Sequence, residues 1–350
     1  MRKNNEGDNI IKIDDLMSIN IAITYKCMLK CKMCNIWKIN DPDEVSIEDW
    51  KRFIRDLRSR IDKAFMINFS GGEPLSKTGI LDLVKFCSLQ NFKTYLGTNA
   101  YLIDENISRQ IADSGLSVIG LSLDSFYEDI HDSLRGVKGV YLRVMQAIDS
   151  LYRFSGNHLR IGISTIIMEE NLDSIIQLAR WVYSDDRLSG ITFQVIMQPF
   201  NDPLDADWQK KEKYNFLWPQ DLRRVRNVID ELITLKTEGN YKVLNPISQL
   251  QSFKAYYENP KKFSNEGRCK IAGNAIDIEA RGTVKLCFNM EDIGNIKYNN
   301  LEDILNSQKA IKAVETMTDC TKICHYLINC FYKDESAKEE SIDGKCYRKK

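Results

Sequence analysis

The sequence has no excess charge, no long apolar run and almost no histidine, and each absence narrows what the chain does. Its 350 residues carry 49 basic and 49 acidic side chains, so no global field draws it to nucleic acid or to an anionic membrane. No apolar run reaches the roughly 18 residues that a spanning helix needs. The polar start, Met1 to Asp8, lacks the apolar core of a signal peptide. These absences predict a cytoplasmic protein that engages neither nucleic acid nor membrane. The three histidines, His131, His158 and His325, are scattered and read as structural hydrogen-bonding groups. No Ser–His–Asp arrangement, phosphate-binding loop, internal repeat or low-complexity tract is visible. Apolar residues at 43% and charged residues at 28% are ordinary for a folded globular chain and exclude a disordered or collagen-like one. The length allows one large domain or two ordinary ones.

Cysteine, by contrast, is plentiful, with ten residues. In a reducing compartment clustered cysteines bind metal or act in redox chemistry rather than form disulfides. Cys27, Cys31 and Cys34 form one group. Cys269, Cys287, Cys320, Cys324, Cys330 and Cys346 form another, more than 230 positions later. Cys87 stands alone in a helical pattern with Leu83, Val84 and Phe86, as a small buried hydrophobe would.

From Ser18 to Met197 short β-rich runs alternate with helical stretches. Ile19, Ile21 and Ile23 alternate with polar residues as in a half-buried strand. Later strands are expected at Met66–Phe69, Lys93–Leu96, Ser117–Leu123, Arg160–Ile167 and Ile191–Val195. Ser46-Ile47-Glu48-Asp49 reads as the capping signal of a helix running to about Arg60. Repeated strand–helix units imply an α/β fold with a parallel sheet and right-handed crossovers. Six units are too few for a closed eight-stranded barrel and predict an open, partial (β/α)6 TIM-like barrel, although a doubly wound sheet satisfies the same pattern. The expected organisation is a tail (1–17), the partial barrel (18–199), a helical bridge (200–265) and a C-terminal domain (266–350). In the bridge, 221–235 is an amphipathic helix, and Trp208, Tyr214, Phe216 and Trp218 read as packing against the barrel. In the C-terminal part, 275–278 and 284–288 form a hairpin around Arg281-Gly282.

Cys27-x3-Cys31-x2-Cys34 follows directly on the first strand. Three thiolates on one short loop can converge on an iron–sulfur cluster or a zinc ion. A structural zinc site wants four protein ligands, and no fourth lies nearby. Three ligands on a four-iron cluster leave one iron open, which suits a catalytic centre. A zinc loop closed by a distant ligand is the plainer alternative.

At this loop the sequence resembles the radical S-adenosylmethionine (radical SAM) enzymes, over roughly residues 18 to 197. Gly71-Gly72-Glu73-Pro74 after the second strand is similar to the family's G-G-E-P element. Thr98-Asn99, with Ala100 in place of glycine, resembles T-N-G. Ser122-Leu123-Asp124, with Ser125 in place of glycine, resembles S-L-D-G, and Met33 stands where an aromatic is common. All four elements fall at strand C-terminal ends, where parallel α/β folds bind ligands. The resemblance implies a [4Fe-4S] cluster on Cys27, Cys31 and Cys34 with S-adenosylmethionine on its open iron. It implies that Gly71, Gly72 and Glu73 hold the methionyl ammonium and that Pro74 fixes the turn. Asn99 belongs to the same pocket, and Ser122 and Asp124 would face the methionine or ribose hydroxyls. Arg135 would pair with the methionyl carboxylate, a role for which Arg143 competes.

Cys269-x12-Gly282-x4-Cys287 resembles the opening of the SPASM or twitch extension, which carries auxiliary iron–sulfur clusters. Cys320-x3-Cys324-x5-Cys330 and Cys346 follow, with one extra residue in the first spacing and Asp334 where a cysteine is expected. Six cysteines cannot fill two four-cysteine clusters. Either Cys320, Cys324, Cys330 and Cys346 hold a distal cluster and Cys269 and Cys287 a proximal one with Asp334 or other ligands, or a single cluster takes Cys269, Cys287 and two of the later three cysteines. One or two auxiliary clusters are therefore expected, with a zinc ribbon as the plainer alternative.

The resemblance implies an enzyme that cleaves S-adenosylmethionine reductively and abstracts a substrate hydrogen atom, fed by a flavodoxin- or ferredoxin-type donor. Enzymes with this extension mostly mature peptides. The 17 residues ahead of the first strand are shorter than the peptide-binding domain many of them carry, which keeps a small molecule such as a sugar or cyclitol alcohol beside the peptide. The reading from another class is a non-catalytic iron–sulfur protein in electron transfer, against which the three non-cysteine elements argue.

Overall fold

The computed structural model describes residues 11–41, 43–239, 241–263, 269, 275–323 and 329. Six strands run parallel in sequence order: β1 (Ser18–Thr24), β2 (Met66–Gly71), β3 (Lys93–Thr98), β4 (Val118–Ser122), β5 (Arg160–Ile167) and β6 (Gly190–Val195). Helices α1 (Ile47–Arg60), α2 (Ile80–Leu89), α3 (Glu105–Asp113), α4 (Glu128–Arg135), α5 (Val140–Ser155) and α6 (Ile175–Ser184) lie between them. This is the open, mostly parallel α/β sheet expected from the alternation.

The two faces of the sheet differ in chemistry, as a period of two requires. Ile19, Ile21 and Ile23 of β1 and Ile67 and Phe69 of β2 join one core with Trp50, Ile54 and Leu57 of α1 and Leu83 and Val84 of α2. On the opposite face Met66, Tyr95 and Val118 form a separate small cluster with Leu244. In the same inner row Asn68 Nδ2 donates to Asn20 Oδ1 at 2.9 Å, and Asn20 Nδ2 donates to Asp277 Oδ1 at 3.0 Å. Apolar side chains thus hold the helices on, while polar groups line part of the inside.

Local signals fix the ends of the elements. Ser46 Oγ accepts from Asp49 N at 3.1 Å and caps α1. Gly136, at φ 72°, stops α4 in the left-handed conformation that glycine adopts without strain.

Beyond β6, α7 (Leu222–Gly239) and α8 (Ile247–Glu258) form the bridge. Trp208, Tyr214 and Trp218 are buried there, whereas Phe216 is 41% exposed. Trp218 packs edge-on against Tyr256 and Tyr257, whose hydroxyls donate to Ile196 O and Ile167 O near the ends of β6 and β5. The outer edge of β6 is satisfied by backbone at Ile191, whose N–H donates to Lys242 O at 2.8 Å and whose O accepts from Leu244 N at 2.9 Å, and by side chains further along. Asn245 Oδ1 accepts from Phe193 N at 2.7 Å, and Asn329 Oδ1 accepts from Val195 N at 3.0 Å.

The C-terminal hairpin does not stand apart from the barrel. β7 (Ala275–Ile278) pairs parallel with β1, Ile276 opposite Ile19, and continues the sheet. β8 (Thr283–Lys285) returns antiparallel through the expected turn, with Gly282 at φ 89°, and β9 (Gly294–Asn295) follows. Helices α9 (Leu301–Leu305) and α10 (Gln308–Thr318) pack behind. The hairpin turn, and Lys297 beyond β9, also grip the segment leading into α1. Val45 N donates to Ala280 O at 2.8 Å, Arg281 pairs with Asp41 at 2.5 Å, and Lys297 pairs with Asp43 at 2.7 Å. No described helix is long and apolar enough to cross a membrane.

Candidate active site at the C-terminal end of the sheet

The loop bearing Cys27, Cys31 and Cys34 leaves β1 and is pinned on two sides by backbone hydrogen bonds. On one side Gly72 N donates to Thr24 O and Glu73 N to Lys26 O, both at 2.8 Å. On the other, Lys32 N donates to Leu134 O at 2.9 Å and Lys30 N to Arg135 O at 3.3 Å, at the end of α4. Both contacts depend on glycine. A Cβ on Gly72 would lie 2.3 Å from Lys26 O, and one on Gly136 would lie 2.4 Å from Lys30 O. The close backbone approach of the Gly71-Gly72 pair is therefore to the chain's own cysteine loop.

Glu73 is fully buried and ties two elements together. Its carboxylate accepts from Thr98 Oγ1 at 2.7 Å, Asn99 N at 2.9 Å and Leu75 N at 3.1 Å. Burial raises its pKa, and those three hydrogen bonds work against the rise. Pro74 opens the 3-10 turn Pro74–Ser76, where its missing N–H costs nothing. Asn99 directs Nδ2 toward Cys27 Sγ at 3.7 Å and Met28 Sδ at 3.8 Å, and accepts from Tyr101 N through Oδ1. Ala100, which stands where glycine is usual, keeps a left-handed φ of 63°. Ser125, the other such position, is buried and bonds Ser174 Oγ and Tyr127 N.

Asp124 and Arg135 are brought to each other. The guanidinium Nη2 lies 2.7 Å from Asp124 Oδ2, with the carboxylate side chain fully enclosed and that of Arg135 11% exposed. Asp124 Oδ1 also accepts from Ile166 N at 3.1 Å, and its backbone N–H donates to His131 Nδ1. His131 is buried and held neutral, its pKa pushed down to about 2 by burial and then by Arg135. Asp124 thus faces inward, and Ser122 is the partly exposed member of the Ser122–Asp124 pair. Arg143 is exposed, with its guanidinium 5.9 Å from the centroid of the Tyr101 ring.

All three loop thiols are partly exposed. Burial pushes the Cys31 thiol up to about 11 and raises Cys27 and Cys34 as well, while Arg135 pulls against each rise. Ile36 N donates to Cys34 Sγ at 3.4 Å. Among the described residues no three His, Cys, Asp or Glu side chains gather tightly enough to grip one metal ion, these thiols included. Iron–sulfur clusters are held by cysteine thiolates, and an all-cysteine donor set on one loop fits that chemistry.

Of the later cysteines, Cys269 is half-buried against the core, Cys287 is buried beyond β8, and Cys320 follows α10. Asn289 N donates to Cys287 Sγ at 3.4 Å. Cys324, Cys330, Cys346 and Asp334 lie outside the described residues.

Two groups near the loop are not evident from sequence motifs. Glu44 accepts from Thr24 Oγ1 at 2.6 Å and Tyr25 N at 3.0 Å, and pairs with Lys77 at 2.9 Å. Asn35 Nδ2, beside the third thiol, donates to Asp202 Oδ1 and Tyr214 OH, both at 3.0 Å. A polar residue directly after the last cysteine is the only signal the sequence offers for the second group.

Two family models match the chain. The radical SAM superfamily matches residues 21–182, and SPASM, an iron–sulfur cluster-binding domain, matches residues 269–331. Fe-coproporphyrin III synthase of Methanosarcina barkeri is 30% identical over 155 residues, 44% of this chain but only 37% of that protein. The uncharacterized protein MJ0907 of Methanocaldococcus jannaschii is 24% identical over 297 residues, 82% of this chain and 91% of that one. Among solved structures, SuiB of Streptococcus suis bound to its precursor peptide SuiA superposes with a TM-score of 0.64 at 16% identity, covering 92% of this chain and 72% of SuiB. A second SuiB structure holds S-adenosylmethionine and gives a TM-score of 0.66 at 16% identity, over 87% of this chain and 68% of that one.

Proposed function

For a chain that belongs to the radical SAM superfamily and carries a C-terminal SPASM domain, we propose a radical enzyme that matures a peptide substrate. The observation that carries the proposal is the loop of Cys27, Cys31 and Cys34, clasped between the Gly71–Pro74 turn and α4, with Asn99 against Cys27. Cys27, Cys31 and Cys34 would hold a [4Fe-4S] cluster beside S-adenosylmethionine. When bound, these supply a one-electron cleavage that gives methionine and a 5′-deoxyadenosyl radical able to take a hydrogen atom from an unactivated C–H bond. A flavodoxin- or ferredoxin-type protein would deliver the electron.

The chain's own residues position and enclose. Glu73 fixes the Gly71-Gly72 turn against the loop, so that its free backbone groups meet the methionyl end. Ser122 offers a hydroxyl to the same ligand. Arg143 takes the methionyl carboxylate in place of Arg135, because Asp124 already engages the Arg135 fork. Cys269, Cys287 and Cys320, with Cys324, Cys330 and Cys346, would hold one or two auxiliary clusters that bind substrate or accept a surplus electron.

A peptide substrate is supported by the fold shared with SuiB, which is seen with its precursor peptide. A small-molecule substrate is the second reading, favoured by the match over 155 residues to a synthase of Fe-coproporphyrin III. The test is anaerobic reconstitution with iron and sulfide, reduction with dithionite, addition of S-adenosylmethionine and chromatographic assay of 5′-deoxyadenosine. Wild-type protein is expected to produce it and Cys31→Ala to produce none. Equal product from both, or no change in the cluster's EPR signal on adding S-adenosylmethionine, would overturn the proposal.

A further inference from the structure

Arg135 is a cation in an expensive place. Withdrawing a guanidinium from water is unfavourable unless partners restore what water gave. Asp124 is one partner, at 2.7 Å. Yet Arg135 Nε is buried and without a hydrogen-bond partner among the described residues. The Cys31 thiol lies close enough for the two charges to feel each other, Arg135 pulling against the rise that burial gives that thiol. Its backbone points the same way, since Arg135 O and Leu134 O accept from Lys30 N and Lys32 N on either side of Cys31. Those carbonyls are also the negative end of α4, which disfavours anionic sulfur, and a cation in the last turn offsets it.

We propose that Arg135 is a positioning residue that serves as the charge partner of the Cys31 thiolate, and that Asp124 tunes how much positive charge the cysteine loop feels. This rests on the loop holding an iron–sulfur cluster. Each reduction of that cluster adds one negative charge beside Arg135, so the Arg135–Asp124 pair adjusts how readily an electron is accepted. A buried charge acts strongly on its neighbours, because the protein interior screens it less than water does.

Charge and mere packing predict different things. The full chain, loaded with iron and sulfide, is titrated with dithionite under EPR, without S-adenosylmethionine or substrate. Arg135→Gln removes the cation and is expected to lower the midpoint potential. Asp124→Asn removes the opposing anion and is expected to raise it. Arg135→Lys keeps the charge and is expected to stay closer to wild type than Arg135→Gln. Shifts of Arg135→Gln and Asp124→Asn in the same direction, or no shift in either, overturn the proposal. Should Arg135→Gln take up no iron, the iron content of Arg135→Lys decides. Loading at the wild-type level supports a charge role, and failure of both lysine and glutamine variants overturns it. Wild-type protein that forms no four-iron EPR signal at all would instead sink the reading of the loop as a cluster site.

Discussion

Gly72 has no room for a side chain, because the carbonyls of Tyr25 and Lys26 close over its α-carbon, the nearest 2.3 Å from an added Cβ. Gly72→Ala must push two backbone segments apart, and overpacking of this kind costs about 1–3 kcal/mol. The variant is expected to unfold earlier in urea and to take up less iron per chain, measured by denaturation and metal analysis. Glu44 makes the second residue-scale case. Burial works to raise its pKa, but hydrogen bonds from Thr24 Oγ1, Lys77 and Tyr25 N prevail and hold it below its ordinary value. A depressed carboxylate contributes stability above its unfolded pKa and loses that contribution as pH falls through the lower folded value. Glu44→Ala is therefore expected to cost about 1–2 kcal/mol near neutrality. The gap from wild type should close in acid, as read by urea midpoints at several pH values. A gap that stayed constant down to pH 3 would contradict the assignment. At this scale the sequence yielded the cysteine loop and the glycine turn, because both are local. It did not yield the Arg135–Asp124 pair, because their contact depends on where α4 brings two residues eleven positions apart.

Elements were easiest to read where one side chain in two, or in three and four, meets the core. Ile19, Ile21 and Ile23 mark β1, and Val225, Ile229 and Leu232 mark α7, in sequence as in structure. Helix α8 escaped that pattern because it buries Gln249 and the two tyrosines Tyr256 and Tyr257, whose polar ends look like surface groups in a sequence. The outer edge of β6 was equally hidden, since past the short backbone bridge at Ile191 the Asn245 side chain takes the place of a neighbouring strand. Its side chain accepts from Phe193 N, donates to Phe193 O and donates to Gln249 Oε1, all within 2.8 Å, and it is 1% exposed. Asn245→Ala would strand a buried N–H and carbonyl on β6. The expected loss is about 2–3 kcal/mol, with faster hydrogen exchange at Phe193 than on β1 or β2. Uniform acceleration over the whole sheet would indicate general loosening instead.

At the scale of the whole molecule, the hairpin turn at Ala280–Gly282 and Lys297 beyond β9 reach back to hold Asp41, Asp43 and Val45, between the third thiol and α1. The two ion pairs in that grip are partly exposed, and such pairs contribute little to stability. The double variant Arg281→Ala with Lys297→Ala is therefore expected to lower the thermal midpoint by only a few degrees. Hydrogen exchange should rise across residues 39–46 while β2 to β5 stay protected. No local rise would mean that the single backbone bond from Val45 N to Ala280 O is sufficient. The partial barrel and the hairpin were each legible as separate patterns. Their fusion into one sheet was not, because nothing local in Ala275–Ile278 says which strand it will join.

That fusion bears on how the chain is made. Asn20 and Asp277 are hydrogen-bonded neighbours 257 positions apart in sequence. A ribosome adding about 5–20 residues per second needs roughly 13–50 s to travel from one to the other. For that interval the first strand has one side unpaired, an edge of the kind that recruits foreign strands. The newborn protein is thus exposed to mispairing for most of its own synthesis, and its yield in a cell should depend on the speed of translation and on the chaperones that shield β1 until its last neighbour arrives.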